Sequence, residues 1–135
     1  MTKRRSIGIG VLTLIAVLIA AQVASARVLT VSSKRGVAMI TLAADVENNL
    51  ETVRSVRACD TNRDGERVFA IVSEDAGRRI GLGTSEDANG SHNGCGDRVP
   101  IRSAKRTLFV SICSSKGPGQ RIKDCVSSTV RQRVP

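Results

Sequence analysis

CDTNRDGERVFAIVS, residues 59–73, is compatible with two different folds. Asp60, Asn62 and Asp64 at alternate positions, followed by Gly65, match the opening of a helix–loop–helix calcium loop. Such a loop closes on a bidentate carboxylate at its twelfth position and then runs into a helix. Counted from Asp60, the twelfth residue is Ile71, and RVFAIVS (67–73) is a β-branched and aromatic run. The half of the motif that would complete the coordination sphere is missing. Asp64-Gly65 suits the positive φ angles of a tight turn, and Asp60 and Asn62 suit local backbone N–H groups. The stretch therefore predicts a β-hairpin with no metal, and it sets the rest of the chain to be read as β.

Working outward, VRSVRAC (53–59) alternates with Val53, Ser55, Arg57 and Cys59 on one side. TLFVSIC (107–113) places Leu108, Val110 and Ile112 on one face and Phe109, Ser111 and Cys113 on the other. RVLTVSS (27–33) is ended by Lys34-Arg35-Gly36, and VAMITL (37–42) follows it. Arg79 to Thr84 and Gln120 to Val130 are weaker strand candidates, and Ser85 to Gly96 is a loop of low complexity. Leu42, Val46, Leu50 and Val53 recur with helical spacing. Asn48-Asn49 is a poor helix centre, however, so we expect two strands joined there, with a short helix as the alternative. Seven or eight short strands make an all-β chain: a single antiparallel β-sandwich, immunoglobulin-like. Phe69 and Phe109, the only aromatic residues, are expected in its core.

The N-terminus reads as an export signal. Thr2-Lys3-Arg4-Arg5 is a basic start, Ile7 to Ala21 is apolar and uncharged, and Ala24-Ser25-Ala26 is a small-x-small cleavage pattern. Residues 1–26 are thus expected to be a signal peptide cleaved after Ala26, leaving one domain, residues 27–135. The alternative is an uncleaved membrane anchor, since the apolar stretch is just long enough to span a bilayer. The expected location is extracellular.

Cys59, Cys95, Cys113 and Cys125 all follow the cleavage site. An even count in a small exported chain reads as two disulfides, and the spacing lacks the paired C-x-x-C of a zinc site. Of the three connectivities we expect Cys59–Cys95 and Cys113–Cys125, because Lys116-Gly117-Pro118-Gly119 turns the chain back between the last two.

The chain carries 21 Lys and Arg against 12 Asp and Glu. Without Lys3, Arg4 and Arg5 the balance is 18 against 12, a net charge of +6 rich in arginine. The basic residues come in scattered pairs, among them Lys34-Arg35, Arg78-Arg79 and Lys105-Arg106. Arg78, Arg79, Lys105 and Arg106 lie near predicted strand ends and are the nominated polyanion contacts, expected to share a sheet edge. The absence of Trp and Tyr argues against stacking sugars or single-stranded nucleic acid.

A catalytic constellation is not legible. His92 stands alone in a Gly-Ser-rich loop, and no G-x-S-x-G elbow occurs. Glu74-Asp75 and Glu86-Asp87 are adjacent, so their side chains point apart. Asn89-Gly90-Ser91 fits the N-glycosylation pattern.

Ala58-Cys59-Asp60, Asp64-Gly65, a Gly-rich loop with a cysteine, and then F-V-S-I-C and K-D-C-V-S-S resemble small exported actinomycete proteins that are mostly uncharacterised. That resemblance implies a disulfide-bonded β-sandwich outside the cell, and it carries no active site to transfer. Two other exported classes share the size and the four cysteines, the Streptomyces-type subtilisin inhibitors and the enediyne-binding apoproteins. The C-P-M reactive loop of the first and the aromatic-lined cleft of the second are missing. The expectation is a secreted, monomeric, non-enzymatic binding module without cofactor or specific nucleic acid. Its partner is expected to be an anionic cell-wall polymer or membrane surface. The alternative is an inhibitor of a secreted protease that presents Lys116 on a disulfide-held loop.

Overall fold

The computed structural model describes residues 25–62, 64–88, 94–117 and 119–135. Their elements are all strands: β1 (Ser25–Ser32), β2 (Gly36–Asp45), β3 (Leu50–Asp60), β4 (Arg67–Ser73), β5 (Gly81–Asp87), β6 (Val99–Pro100), β7 (Thr107–Ser115) and β8 (Lys123–Arg131). They form two antiparallel sheets, ordered β1-β2-β3-β6 and β5-β4-β7-β8. β3 and β6 pair in the first sheet while β4 and β7 pair in the second. This interleaved connectivity is an immunoglobulin-like sandwich, as the strand count predicts.

The core is aliphatic. Ala38, Ile40 and Leu42 of β2 and Val53, Val56 and Ala58 of β3 face Val68, Ala70 and Val72 of β4 and Leu108, Val110 and Ile112 of β7. Ile101 and Val130 complete it. Fully burying one such side chain stabilises by about 1.5–3 kcal/mol. The β7 face assignment holds, with Leu108, Val110 and Ile112 all buried. Asn48-Asn49 lies in the turn between β2 and β3, where Asn49 has φ 54°, so two strands rather than a helix cross this region.

Four expectations need correcting. The stretch after Cys59 is not a hairpin: β3 and β4 belong to different sheets, so residues 61–66 cross between them. The turn chemistry was read correctly only in part: Asn62 donates its side chain to the Lys34 carbonyl, and of Asp64-Gly65 only the glycine has positive φ. Asp60 Oδ1 accepts the Asn62 N–H at 2.9 Å, Asp64 Oδ1 accepts the Glu66 N–H at 3.0 Å, and Gly65 has φ 73°. A tight local turn does not decide whether the next strand pairs with the last one.

Secondly, Val53 does not share a face with Ser55 and Arg57. Thr41 is opposite Ser55 while Leu42 is opposite Val53, so Arg54 is an extra residue on β3. A bulge reverses the alternation, and Val53 joins Val56 and Ala58 in the core. Thirdly, Phe69 and Phe109 lie on the outer face of their sheet, half-buried, because their even-numbered neighbours face inward. Finally, Ser85 to Asp87 is strand rather than loop.

That last point explains how a short strand can end a sheet. β6 is two residues long and reaches only Ser55 and Val56, so the edge of β3 beyond them lacks a ladder partner. The side chains of β5 supply it. Ser85 Oγ accepts the Ala58 N–H at 2.9 Å and donates to the Asp97 carbonyl at 2.6 Å. Asp87 Oδ2 accepts the Asp60 N–H at 2.8 Å. Gly96 donates to the Ala58 carbonyl at 2.8 Å, and any Cβ there would collide with the Glu86 carbonyl. Cys59–Cys95 ties the same segment to β3. Cys113–Cys125 bridges β7 and β8 where Asp124, at φ 53°, is the extra residue of a second bulge. Both disulfides connect as the sequence predicts, and two bridged pairs suit an oxidising environment.

Candidate functional site: the basic end of the sandwich

Four segments meet at one end of the sandwich: the β2–β3 turn (46–49), the β4–β5 turn (74–80), the loop from Ile101 to Arg106, and the residues from Arg131 onward. Ser73 pairs with both Gly81 and Phe109, and Thr107 pairs with Arg131, which brings the last three together. Ser103 Oγ donates to Glu74 Oε1 at 2.6 Å, fastening the loop to the β4–β5 turn.

Gln132 locks the rest. It is only 4% exposed, and its Nε2 donates to the carbonyls of Ser103 at 2.9 Å and Lys105 at 2.7 Å. Its Oε1 accepts the Val53 N–H at 2.8 Å, and its backbone N–H donates to the Arg106 carbonyl. Every polar group of the amide is used, which a buried amide requires.

Arg78, Arg79, Lys105 and Arg106 therefore share one end, carried on two fastened loops. They do not share a sheet edge, since each pair sits in a connection between strands. Arg102 and Arg131 join them. All six are exposed, and among the described residues none has a carboxylate oxygen within 4 Å. Arg27 and Arg133, also at this end, both pair with Glu51.

Three acids here are engaged in local hydrogen bonds, while Glu47 is exposed in the β2–β3 turn. Asp75 Oδ1 accepts the Ile80 N–H at 2.8 Å and its Oδ2 the Arg79 N–H at 3.1 Å. These bonds, with the nearby Arg79 charge, hold the Asp75 carboxyl below its ordinary range. Asp45 accepts the side-chain and backbone N–H of Asn48, which lowers its carboxyl likewise. Glu74 is occupied by Ser103. Fixed loops whose exposed cations form no ion pair among the described residues can hold phosphate or carboxylate oxygens without first breaking one.

The opposite end is arranged differently. Arg35 lies 3.6 Å from Asp64, 3.5 Å from Glu66 and 3.0 Å from Asp124. Lys123 lies 3.2 Å from Glu66, and that bond together with Arg35 lowers the Glu66 carboxyl. Lys34, Lys116 and Arg121 are exposed there without an ion pair among the described residues. Lys116 stands before a closed turn: Gln120 donates to the Gly117 carbonyl at 3.1 Å, and Ser115 Oγ lies 3.0 Å from the same oxygen.

Asp60, Asn62 and Asp64 do not converge: Asp60 faces inward, Asn62 donates to the Lys34 carbonyl, and Asp64 reaches Arg35. Glu86 pairs with Arg67 while Asp87 turns to Asp60, so that adjacent pair does point apart. His92 and Asn89-Gly90-Ser91 lie outside the described residues.

Sequence reasoning missed Gln132, Arg102 and Arg131. Gln132 carries no local signal, because its partners come from β3 and from the loop before β7. No protein-family model, curated protein or solved structure matches the chain.

Proposed function

We propose that the chain is an exported, non-enzymatic binding module whose basic end engages an anionic surface or polymer outside the cell. The observation that carries the reading is a set of six exposed cations, five on loops fastened by Ser103 and Gln132 and Arg131 at the end of β8, none in an ion pair among the described residues. Arginine dominates the set, and its planar fork matches phosphate and carboxylate oxygens in pairs. Export is supported by the basic, apolar and small-residue order of residues 2–26 and by the two disulfides. The inhibitor alternative at Lys116 has less to recommend it. Protease inhibitors offer an extended segment to the enzyme cleft, whereas the chain after Lys116 is hydrogen-bonded back on itself.

The test is depletion of the secreted protein from solution by isolated cell envelopes as salt rises. Screening contracts from about 10 Å at 0.1 M to about 3 Å at 1 M, so binding through exposed charges releases steeply over that range. Binding indifferent to salt, or no binding at low salt, overturns the proposal.

A further inference from the structure

The basic end also carries two apolar tips. Val46, in the β2–β3 turn, is 80% exposed, the most of any large hydrophobic residue described, and Ile80, in the β4–β5 turn, is 55% exposed. Both turns are braced by local hydrogen bonds: Asp45 closes the turn that displays Val46 and the exposed Glu47, and Asp75 caps the backbone of Arg79 and Ile80. Asn49 and Arg78 adopt positive φ, 54° and 57°, in these turns. Each tip thus has a fixed backbone beneath it.

Chain direction adds an independent observation. β1 begins at this same end, where Ser25 pairs with Ala44 beside the β2–β3 turn. The uncharged stretch Ile7 to Ala21 lies outside the described residues and ends only three residues before Ser25. Where this stretch is retained as the anchor rather than cleaved, a bilayer that holds it lies against the end bearing Arg78, Arg79, Lys105, Arg106, Val46 and Ile80.

We infer that the anionic partner is a bilayer of acidic lipid, with the cations at the headgroups and Val46 and Ile80 dipping beneath them. This inference rests on the binding reading above and narrows its partner. A phosphate polymer would use the cations but leave both apolar tips in water. A membrane interface takes both, since apolar side chains flanked by Arg and Lys settle at the headgroup boundary.

The experiment follows amide exchange in the full chain reconstituted in three settings: phosphatidylcholine bilayers, phosphatidylcholine with phosphatidylglycerol, and phosphatidylcholine with soluble polyphosphate added. The expected result is slowed exchange at residues 45–49 and 74–80 in the phosphatidylglycerol bilayers alone. Replacing Arg78, Arg79, Lys105 and Arg106 by Gln should weaken that protection about fivefold for each cation removed. A second variant, Val46→Ser with Ile80→Ser, should keep salt-sensitive protection but reduce it. Protection by polyphosphate without protection by phosphatidylglycerol overturns the lipid inference and leaves the binding reading standing. Protection by neither overturns both. Equal protection by both, unaffected by the Val46 and Ile80 changes, also removes the lipid assignment.

Discussion

The side-chain carbonyl of Gln132 accepts the Val53 backbone N–H at 2.8 Å, across 79 residues of sequence. Val53 needs that partner because the Arg54 bulge shifts the ladder beside it. Gln132 thus joins a defect in the first sheet to the loop that carries Lys105 and Arg106.

Gln132→Ala should destabilise the protein by about 1–3 kcal/mol, since it leaves buried groups of Val53, Ser103 and Lys105 without partners. It should also raise amide exchange in residues 101–106 and weaken envelope binding, although Gln132 itself is buried. Urea denaturation measures the first effect. An unchanged midpoint would show that the clamp adds nothing.

Asp60 is 5% exposed, and its Oδ2 is buried without a hydrogen-bond partner among the described residues. Burial pushes its carboxyl above the ordinary range, and the charges of Asp64, Asp87 and Glu66 push the same way while the Asn62 N–H opposes them. The folded chain therefore holds this proton more tightly than the unfolded chain does. Its contribution to stability is greatest in acid and is lost as pH rises through the folded value. Asp60→Asn keeps an acceptor for the Asn62 N–H and removes the buried charge. The variant should gain melting temperature relative to the parent near neutral pH, with the gain fading towards about pH 3. A gain of equal size at both ends of that range would assign the effect to packing rather than ionisation.

Reduction should lower the melting temperature sharply. In the loop-entropy account Cys59–Cys95 is worth about 4 kcal/mol and Cys113–Cys125 about 3 kcal/mol, because the first closes the longer loop. Replacing each pair by serine should preserve that order. The reverse order would mean that native contacts around Cys113, which is fully buried, outweigh chain entropy. EDTA should leave the melting temperature unchanged, and millimolar calcium should not raise it. A rise of several degrees with calcium would make Asp60, Asn62 and Asp64 ligands after all.

Neutralising Arg78, Arg79, Lys105 and Arg106 to Gln should leave stability within about 0.5 kcal/mol, since all four are exposed and none forms an ion pair among the described residues. Envelope binding should fall, and its dependence on salt should flatten. The same number of Gln changes at Lys34, Lys116 and Arg121 with Arg98 should have a smaller effect. Equal losses from both sets would mean that net charge, not the basic end, governs binding.

Period-two runs such as TLFVSIC and RVFAIVS determine strands locally, because a strand's two faces are decided by adjacent residues. Gly65 and Asn49 mark turns for the same reason: φ preference belongs to single residues. The turn between the last two cysteines favoured the pairing that forms, one of the three that four cysteines allow. The sheet to which β4 belongs was not legible, since residues 61–66 can return to β3 or cross to the other sheet with the same turn chemistry. Nor was the phase of Val53, because a bulge appears only when two strands are in register. The site divides in the same way. Arg78, Arg79, Lys105 and Arg106 could be nominated from charge and position, whereas their meeting at one end depends on pairings across the sandwich. Gln132, Ser85 and Asp87 look like surface residues in sequence. Tertiary structure made them buried partners, because the backbone groups they satisfy are left over by a two-residue strand and a bulge that no local stretch announces.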